Sequence, residues 1–355
     1  MSVISNLIRT DLLNFSAYSS ARDEAKQGKI WLNANESPWD NDQQIRIEKL
    51  NRYPEKQREQ LNTRLADIYG IRPEQMLLLR GSDEAIDLLI RLFCRAEHDS
   101  ILICPPTFGM YEVCANLQGI SIMKVPLIKS EGFQLDITSI LQKINQKTKI
   151  IFLCSPNNPT GNLLSEKDII NLCQELQENC IIVVDEAYIE FANFPSLAKH
   201  LASHSNLAIL RTLSKVYGLA AARCGALLAS KELIEWVKKI MPPYPLSSLT
   251  MEAVYNATSS FNLTKLEQQI QANKYERARL FNTLKKLRIM KHIWPSEANF
   301  LLLETVSAQV VMDECNRKGI VLRDMRNKPD LENCIRTSIG LANENDKLIE
   351  VLTQM

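Results

Sequence analysis

The sequence predicts an α/β protein. A large domain carries a mainly parallel, seven-stranded sheet sandwiched by helices, and a smaller α+β domain follows it. Three observations predict this. Short apolar runs alternate with amphipathic stretches from residue 76 to residue 229. The runs are continuously apolar, as expected of strands covered on both faces. After Pro242-Pro243-Tyr244-Pro245 the rhythm changes to a long charged helical stretch with fewer strands.

Residues 1–44 read as irregular and polar, an arm contributing to the small domain, with an Asn-rich knot at Asn33-Ala34-Asn35-Glu36-Ser37-Pro38. The large domain is expected over 45–245 and the small one over 246–355. A helical pattern from residue 58 ends at Tyr69, where Gly70 stops it. MLLLR (76–80) is the first strand, followed by a helix from Ser82 to Arg95. SILIC (100–104) is the second, with a helix near 108–118, and GISIMKV (119–125) the third. KIIFLC (149–154) is the fourth; a Pro-rich loop and a helix over 165–178 follow. CIIVVDE (180–186), LAILRTL (207–213) and GALLA (225–229) complete seven. Beyond the proline cluster the pattern predicts a helix over 262–287, a strand at NFLLLE (299–304) and a helix near 307–318. Strands at GIVLRD (319–324) and CIRTSIG (334–340) and a last helix close the chain.

The composition excludes several classes. The 42 basic and 41 acidic residues leave a net charge of +1, so there is no basic footprint for nucleic acid. Only 11 of 355 residues are glycine, and none fall as G-x-G-x-x-G or G-x-x-x-x-G-K-[ST]. A phosphorylated ligand has to be held some other way. The nine cysteines form no C-x-x-C and sit in apolar runs, which points to buried free thiols and neither disulfides nor a zinc site. His200 and His204 share a spacing but lack a neighbouring glutamate, so no metal is expected. With no signal-peptide core and no stretch approaching 18 apolar residues, a soluble cytoplasmic protein is expected.

Open parallel sheets bind ligands at the carboxyl ends of their strands. After the first strand comes Gly81-Ser82-Asp83-Glu84, where Ser82 or Asp83 is expected to cap a helix whose first turn forms an anion site. After the fourth comes Ser155-Pro156-Asn157-Asn158-Pro159-Thr160-Gly161, a stiff turn that aims an Asn amide over the sheet edge. After the fifth, Asp185 ends an apolar strand, costly to desolvate unless a cation meets it; Tyr188 follows. After the sixth come Ser214-Lys215 and then Arg223. A lysine in that place is a candidate for imine chemistry. Arg323 and Arg336 each sit in an apolar strand pattern, and buried arginines need anionic partners.

These motifs, in this order, resemble the fold-type-I aminotransferases that use pyridoxal 5′-phosphate (PLP), class II. The residues that carry the resemblance are LNANESP (32–38), NRYP (51–54), RGSDEAIDLL (80–89), PPTFGMY (105–111), SPNNPTG (155–161), DEAYIEF (185–191), TLSKVYGLAAARCG (212–225) and CIRTSIG (334–340). It spans nearly the whole chain. The resemblance implies that Lys215 is the Schiff-base lysine, that Asp185 meets the pyridine nitrogen, and that Asn158 and Tyr188 bond the phenolic oxygen. Phe108 stacks on the ring where many relatives carry Tyr. Gly81, Ser82, Asp83, Thr212, Ser214 and Arg223 surround the phosphate. Tyr53 reaches it from a second subunit of a homodimer.

Within the family, LNANESP, NRYP and the paired arginines resemble the branch acting in histidine biosynthesis. That implies transamination between L-histidinol phosphate and 2-oxoglutarate, with Tyr18, Asn35, Tyr111, Arg323 and Arg336, and more weakly Arg22, as substrate contacts. An aromatic amino acid aminotransferase or a threonine-phosphate decarboxylase would use the same cofactor residues. A non-enzymatic PLP-binding regulator would need a DNA-binding module for which residues 1–44 leave no room. Lys215→Ala is expected to abolish turnover and the imine absorption band; full activity in that variant would refute the assignment.

Overall fold

The computed structural model describes residues 2–14, 50–54 and 59–355. Seven strands form the large sheet: β1 (Met76–Leu79), β2 (Ser100–Ile103), β3 (Ser121–Lys124), β4 (Thr148–Cys154), β5 (Ile181–Asp185), β6 (Leu207–Thr212) and β7 (Gly225–Ala229). Their order is β1-β7-β6-β5-β4-β2-β3. The pairs among β2 to β6 are parallel, whereas β7 runs antiparallel to both β6 and β1. Thus β7 alone opposes the rest. The expected burial on both faces holds for the interior strands, but β3 is half-exposed because it is the sheet edge.

Among the described residues the helices are α1 (Val3–Leu7), α2 (Glu59–Tyr69), α3 (Ser82–Phe93), α4 (Met110–Leu117), α5 (Ile137–Lys143) and α6 (Glu166–Glu175). They continue with α7 (Lys231–Ile240), α8 (Ser248–Ala257), α9 (Ser260–Leu284), α10 (Ala308–Arg317) and α11 (Ala342–Thr353). Helices α5 to α10 each begin on a Ser or Asp whose side chain accepts a first-turn N–H. The start of α3 is different. Gly81 occupies its cap position at φ 80° and no side chain caps it. The expectation that Ser82 or Asp83 would cap is therefore corrected: both lie inside the helix, and its first N–H groups stay available.

Strand alternation divides the core. Ile182, Val184, Leu207 and Ile209 pack on one face; Ile181, Val183, Ala208 and Leu210 pack on the other. Residues 2–14 are not irregular as the sequence reading had it. Ile4, Leu7 and Ile8 of α1 and its end are buried with Leu77, Ile86 and Leu233, on the large-sheet side and not on the small sheet. Ser5 Oγ donates to Glu232 of α7 at 2.9 Å. Apolar residues at i, i+3 and i+4 in a short polar stretch gave too weak a period to read.

A second, antiparallel sheet has the order β10-β11-β9-β8, with β8 (Met290–Ile293), β9 (Phe300–Thr305), β10 (Arg323–Asp324) and β11 (Cys334–Ser338). The strand expected over 319–324 shrinks to its last two residues. Strand β8 and helices α5, α7 and α8 were not read from the sequence. Leu301, Leu303 and Ile335 face α9, α10 and α11. Leu302 and Cys334 point the other way and join the core of the large sheet, so packing ties the two sheets together. The nine cysteines are buried and unpaired. Among the described residues no helix is long and apolar enough to cross a membrane.

Leu302 is fully buried. Its replacement by alanine is expected to cost about 2–5 kcal/mol, read as a lower urea midpoint. An unchanged midpoint would show that this junction carries no packing energy.

Candidate active site

The carboxyl ends of β1, β4, β5 and β6 meet at one edge of the sheet, and the reversed β7 brings its first residue there. At that edge lies a cavity of about 160 Å³. Its lining includes Ser82, Asp83, Phe108, Asn158, Asp185, Tyr188, Thr212, Ser214, Lys215 and Arg223. These ten come from six separate stretches of sequence. Cys154, Ala187 and Ala220 complete the wall and were not anticipated.

Asp185, the last residue of β5, is buried at 2% exposure. Its Oδ1 accepts the Ala187 N–H at 3.1 Å and its Oδ2 accepts the Tyr111 hydroxyl at 2.8 Å. Burial nevertheless pushes its pKa up to about 6, against the lowering effect of those two hydrogen bonds. Such a carboxylate is held ready for a cation that would restore its lost solvation.

Lys215 stays accessible in the turn after β6, with its Nζ 5.5 Å from the Tyr188 ring centroid. Desolvation by the pocket walls, and next the positive charge of Arg336, lower its pKa from the usual lysine value. A larger fraction of free amine at neutral pH is the chemical consequence. Tyr188 is buried edge-on against Phe300 at 5.1 Å, and burial raises its pKa.

The loop after β4 divides its two asparagines between structure and site. Asn157 is buried; its Nδ2 donates to Pro106 O at 2.9 Å and to Thr160 Oγ1 at 2.6 Å, and its Oδ1 accepts from Thr107. That pin turns Asn158 toward the cavity, where its Oδ1 accepts from Arg336 Nη1 at 2.5 Å.

An anion cup forms at the start of α3. Its uncapped N–H groups face the region where Arg223 donates to Ser214 Oγ at 3.3 Å and pairs with Asp83 Oδ2 at 3.3 Å. Arg223 holds φ 53°, a left-handed conformation uncommon for a residue with a Cβ and typical of functional sites. Gly81 suits that place because its φ of 80° is a conformation that residues with a Cβ rarely adopt. The sequence reading missed Gly225. A Cβ on it would lie 2.6 Å from both Gly81 C and Ser82 N, so only glycine lets β7 pass behind the cup. The one hint was its place two residues after Arg223.

Arg323 and Arg336 are register partners on β10 and β11 and line an adjoining cleft. Arg336 is partly buried, its Nε has no hydrogen-bond partner, and its guanidinium lies 5.1 Å from the Phe300 ring. Arg323 is exposed, contrary to the burial its strand pattern implied, because β10 is an edge strand. Neither arginine forms an ion pair among the described residues.

The substrate role expected of Tyr111 is corrected. It is fully buried, stacked on Phe152 at 4.8 Å, and its hydroxyl is spent on Asp185. Tyr53 is half-exposed, stacks on Tyr244 at 4.7 Å and does not line this cavity. Tyr18, Arg22 and Asn35 lie outside the described residues.

Two layers around a parallel sheet, with a lysine, a buried aspartate and an anion cup at its carboxyl edge, define an aminotransferase scaffold. Residues 10–352 match the family Aminotransferase class I and II, and the chain belongs to it. It is 42% identical over 349 residues, 98% of this chain and 96% of the relative, to a histidinol-phosphate aminotransferase of Stenotrophomonas maltophilia. The crystal structure of the histidinol-phosphate aminotransferase from Clostridium acetobutylicum superposes with a TM-score of 0.78 at 26% identity, covering 85% of this chain and 90% of that one. The histidinol-phosphate aminotransferase from Sinorhizobium meliloti, in complex with pyridoxal-5′-phosphate, gives 0.76 at 23% identity, covering 85% and 82%.

Gly225→Ala is expected to weaken PLP binding by at least about tenfold, since a clash with backbone atoms cannot be relieved by rotating a side chain. A titration of the apoenzyme measures this, and wild-type affinity would overturn the close-approach argument.

Proposed function

We propose that the protein transfers the amino group of L-histidinol phosphate to 2-oxoglutarate, giving imidazole acetol phosphate and glutamate, in histidine biosynthesis, with PLP as cofactor. The cavity fits that cofactor in three places. A desolvated carboxylate, Asp185, awaits a cation such as a pyridinium nitrogen. The uncapped turn of α3, Ser214 and Arg223 offer donors to a phosphate. Lys215 offers an amine with a lowered pKa for covalent attachment.

When bound, the cofactor supplies an electron sink conjugated to the carbon that loses its proton. Everything else is done by the protein. Lys215 takes up a proton at Nζ and returns it, a general base whose lowered pKa keeps it unprotonated more of the time. Asp185 would hold the ring nitrogen and Phe108 would cover the ring face. Asn158 and Tyr188 would donate to the phenolic oxygen. Thr212, Ser214, Arg223 and the α3 N-terminus, with Gly81, Ser82 and Asp83, would hold the phosphate. Tyr53 adds a phosphate contact from a second subunit, so the working unit is a homodimer; the cytoplasm is its compartment. Tyr18 and Asn35 contribute to the substrate pocket.

Substrate choice rests on one observation. Arg336 and Arg323 lie side by side with no carboxylate partner among the described residues, and the Arg336 guanidinium reaches Asn158 at the cavity wall. Two uncommitted cations beside the cofactor pocket suit a phosphate dianion from one substrate and a carboxylate from the other. Arg336 serves both and Arg323 adds the second charge that a phosphate needs. The aromatic aminotransferase and decarboxylase alternatives are not favoured, as the relative sharing 42% identity over its near-full length is a histidinol-phosphate aminotransferase.

Arg323→Ala is expected to lower kcat/KM for histidinol phosphate roughly 10–100-fold, the worth of a charge-assisted hydrogen bond. Turnover of a phosphate-free aromatic amino acid should change little. Equal losses with both donors would refute the assignment.

A further inference from the structure

Tyr111 was expected at the substrate, yet it has no access to it. We infer that Tyr111 is a positioning residue for Asp185, holding the carboxylate that receives the cofactor's ring nitrogen, and that it does so through its hydroxyl alone. The inference rests on the reading of Asp185 given above.

The hydroxyl is the feature that needs explaining. Tyr111, on α4, has 0% exposure and its ring lies flat on Phe152, with centroids 4.8 Å apart and planes at 9°. Phenylalanine would fill that space and avoid the cost of burying an O–H. The oxygen donates at 2.8 Å to Asp185 Oδ2. The Ala187 N–H donates to Oδ1. One donor on each oxygen fixes the plane of the carboxylate, while each oxygen keeps a lone pair for a ligand. The same tyrosine ring stands edge-on to Phe108 at 5.6 Å and 84°. Phe108 and Asp185 both line the cavity, so one buried side chain braces the wall that faces the ring and the group that meets its nitrogen.

The charged surroundings show why a donor is required. Facing Asp185 are Tyr111 from α4, Cys154 from β4, Asp83 from α3, Lys215 after β6 and Tyr188 after β5. Asp83 and burial oppose ionisation of Asp185; Tyr111, the Ala187 N–H and Lys215 favour it. Remove the Tyr111 hydroxyl and a donor to the charged form is lost, so Asp185 holds its proton to higher pH. A neutral carboxyl no longer matches a pyridinium.

The test uses apoenzymes of the wild type, Tyr111→Phe, Asp185→Asn and the double variant. PLP affinity is titrated between about pH 5.5 and 8.5, the range bracketing a histidine-like midpoint. Bound cofactor labelled with ¹⁵N reports ring-nitrogen protonation, and melting temperatures report folding. Tyr111→Phe should melt near wild type, bind PLP about 10–100-fold more weakly at pH 7, the range for outer-sphere partners, and lose part of the pyridinium signal. Its acid limb should move up by about one pH unit, the equivalent of a tenfold change. In the Asp185→Asn background the same change should add almost nothing. Wild-type affinity with an unmoved acid limb in Tyr111→Phe overturns the inference, as does an equal loss in both backgrounds. Asp185→Asn binding PLP like wild type would instead remove the Asp185 reading, and this inference with it.

Discussion

The desolvation of one carboxylate is the constraint that the rest of the site answers to. Asp185 ends a strand whose other residues are apolar on both faces. Left alone, a buried carboxylate takes up a proton. The fold instead supplies a backbone N–H, a buried phenol and a lysine within range. Those partners offset part of the burial and leave a deficit that a bound cation would complete. Asp185 is therefore a buried carboxylate suited to a cationic partner.

The phosphate end of the cavity is organised by the same economy of backbone. With few glycines available, the chain spends two where strand and helix touch. Gly81 takes the positive φ that opens α3 without a side-chain cap, and Gly225 lets β7 pass at van der Waals limits behind it. Arg223, strained into a left-handed conformation, closes the cup from the far side. The reversed direction of β7 matters here, because it brings the start of that strand to the edge where every other strand ends.

The two sheets are joined by polar contacts near the site and by an apolar one beneath it. Arg336 on β11 reaches Asn158 on the loop after β4. Below, Leu302 and Cys334 bury themselves in the large-sheet core. Anything that binds Arg336 thus acts on a residue already coupled to the cofactor wall. Lys215 feels the same charge, which is part of why its pKa is lowered.

Much of this was legible in the sequence because its signals are local. Continuous apolar runs marked the interior strands, and the residues just after them marked the ligand edge; ten of the expected cofactor residues face one cavity. The shortfalls share a physical origin. Helix α1 depends on tertiary partners for its burial and the partial strand β10 on its pairing with β11, and their own periodicity is too short to announce them. The need for glycine at 225 comes from a backbone 144 positions away. Tyr111 was expected at the substrate from the family resemblance, but α4 turns its ring onto Phe152 and its hydroxyl onto Asp185. The sequence alone determined which groups are present and at which strand ends they emerge, since strand direction and loop chemistry are set by neighbours in the chain. Only the tertiary structure decided which of those groups meet, because hydrogen bonds and close approaches depend on ångström-scale distances between segments far apart in sequence.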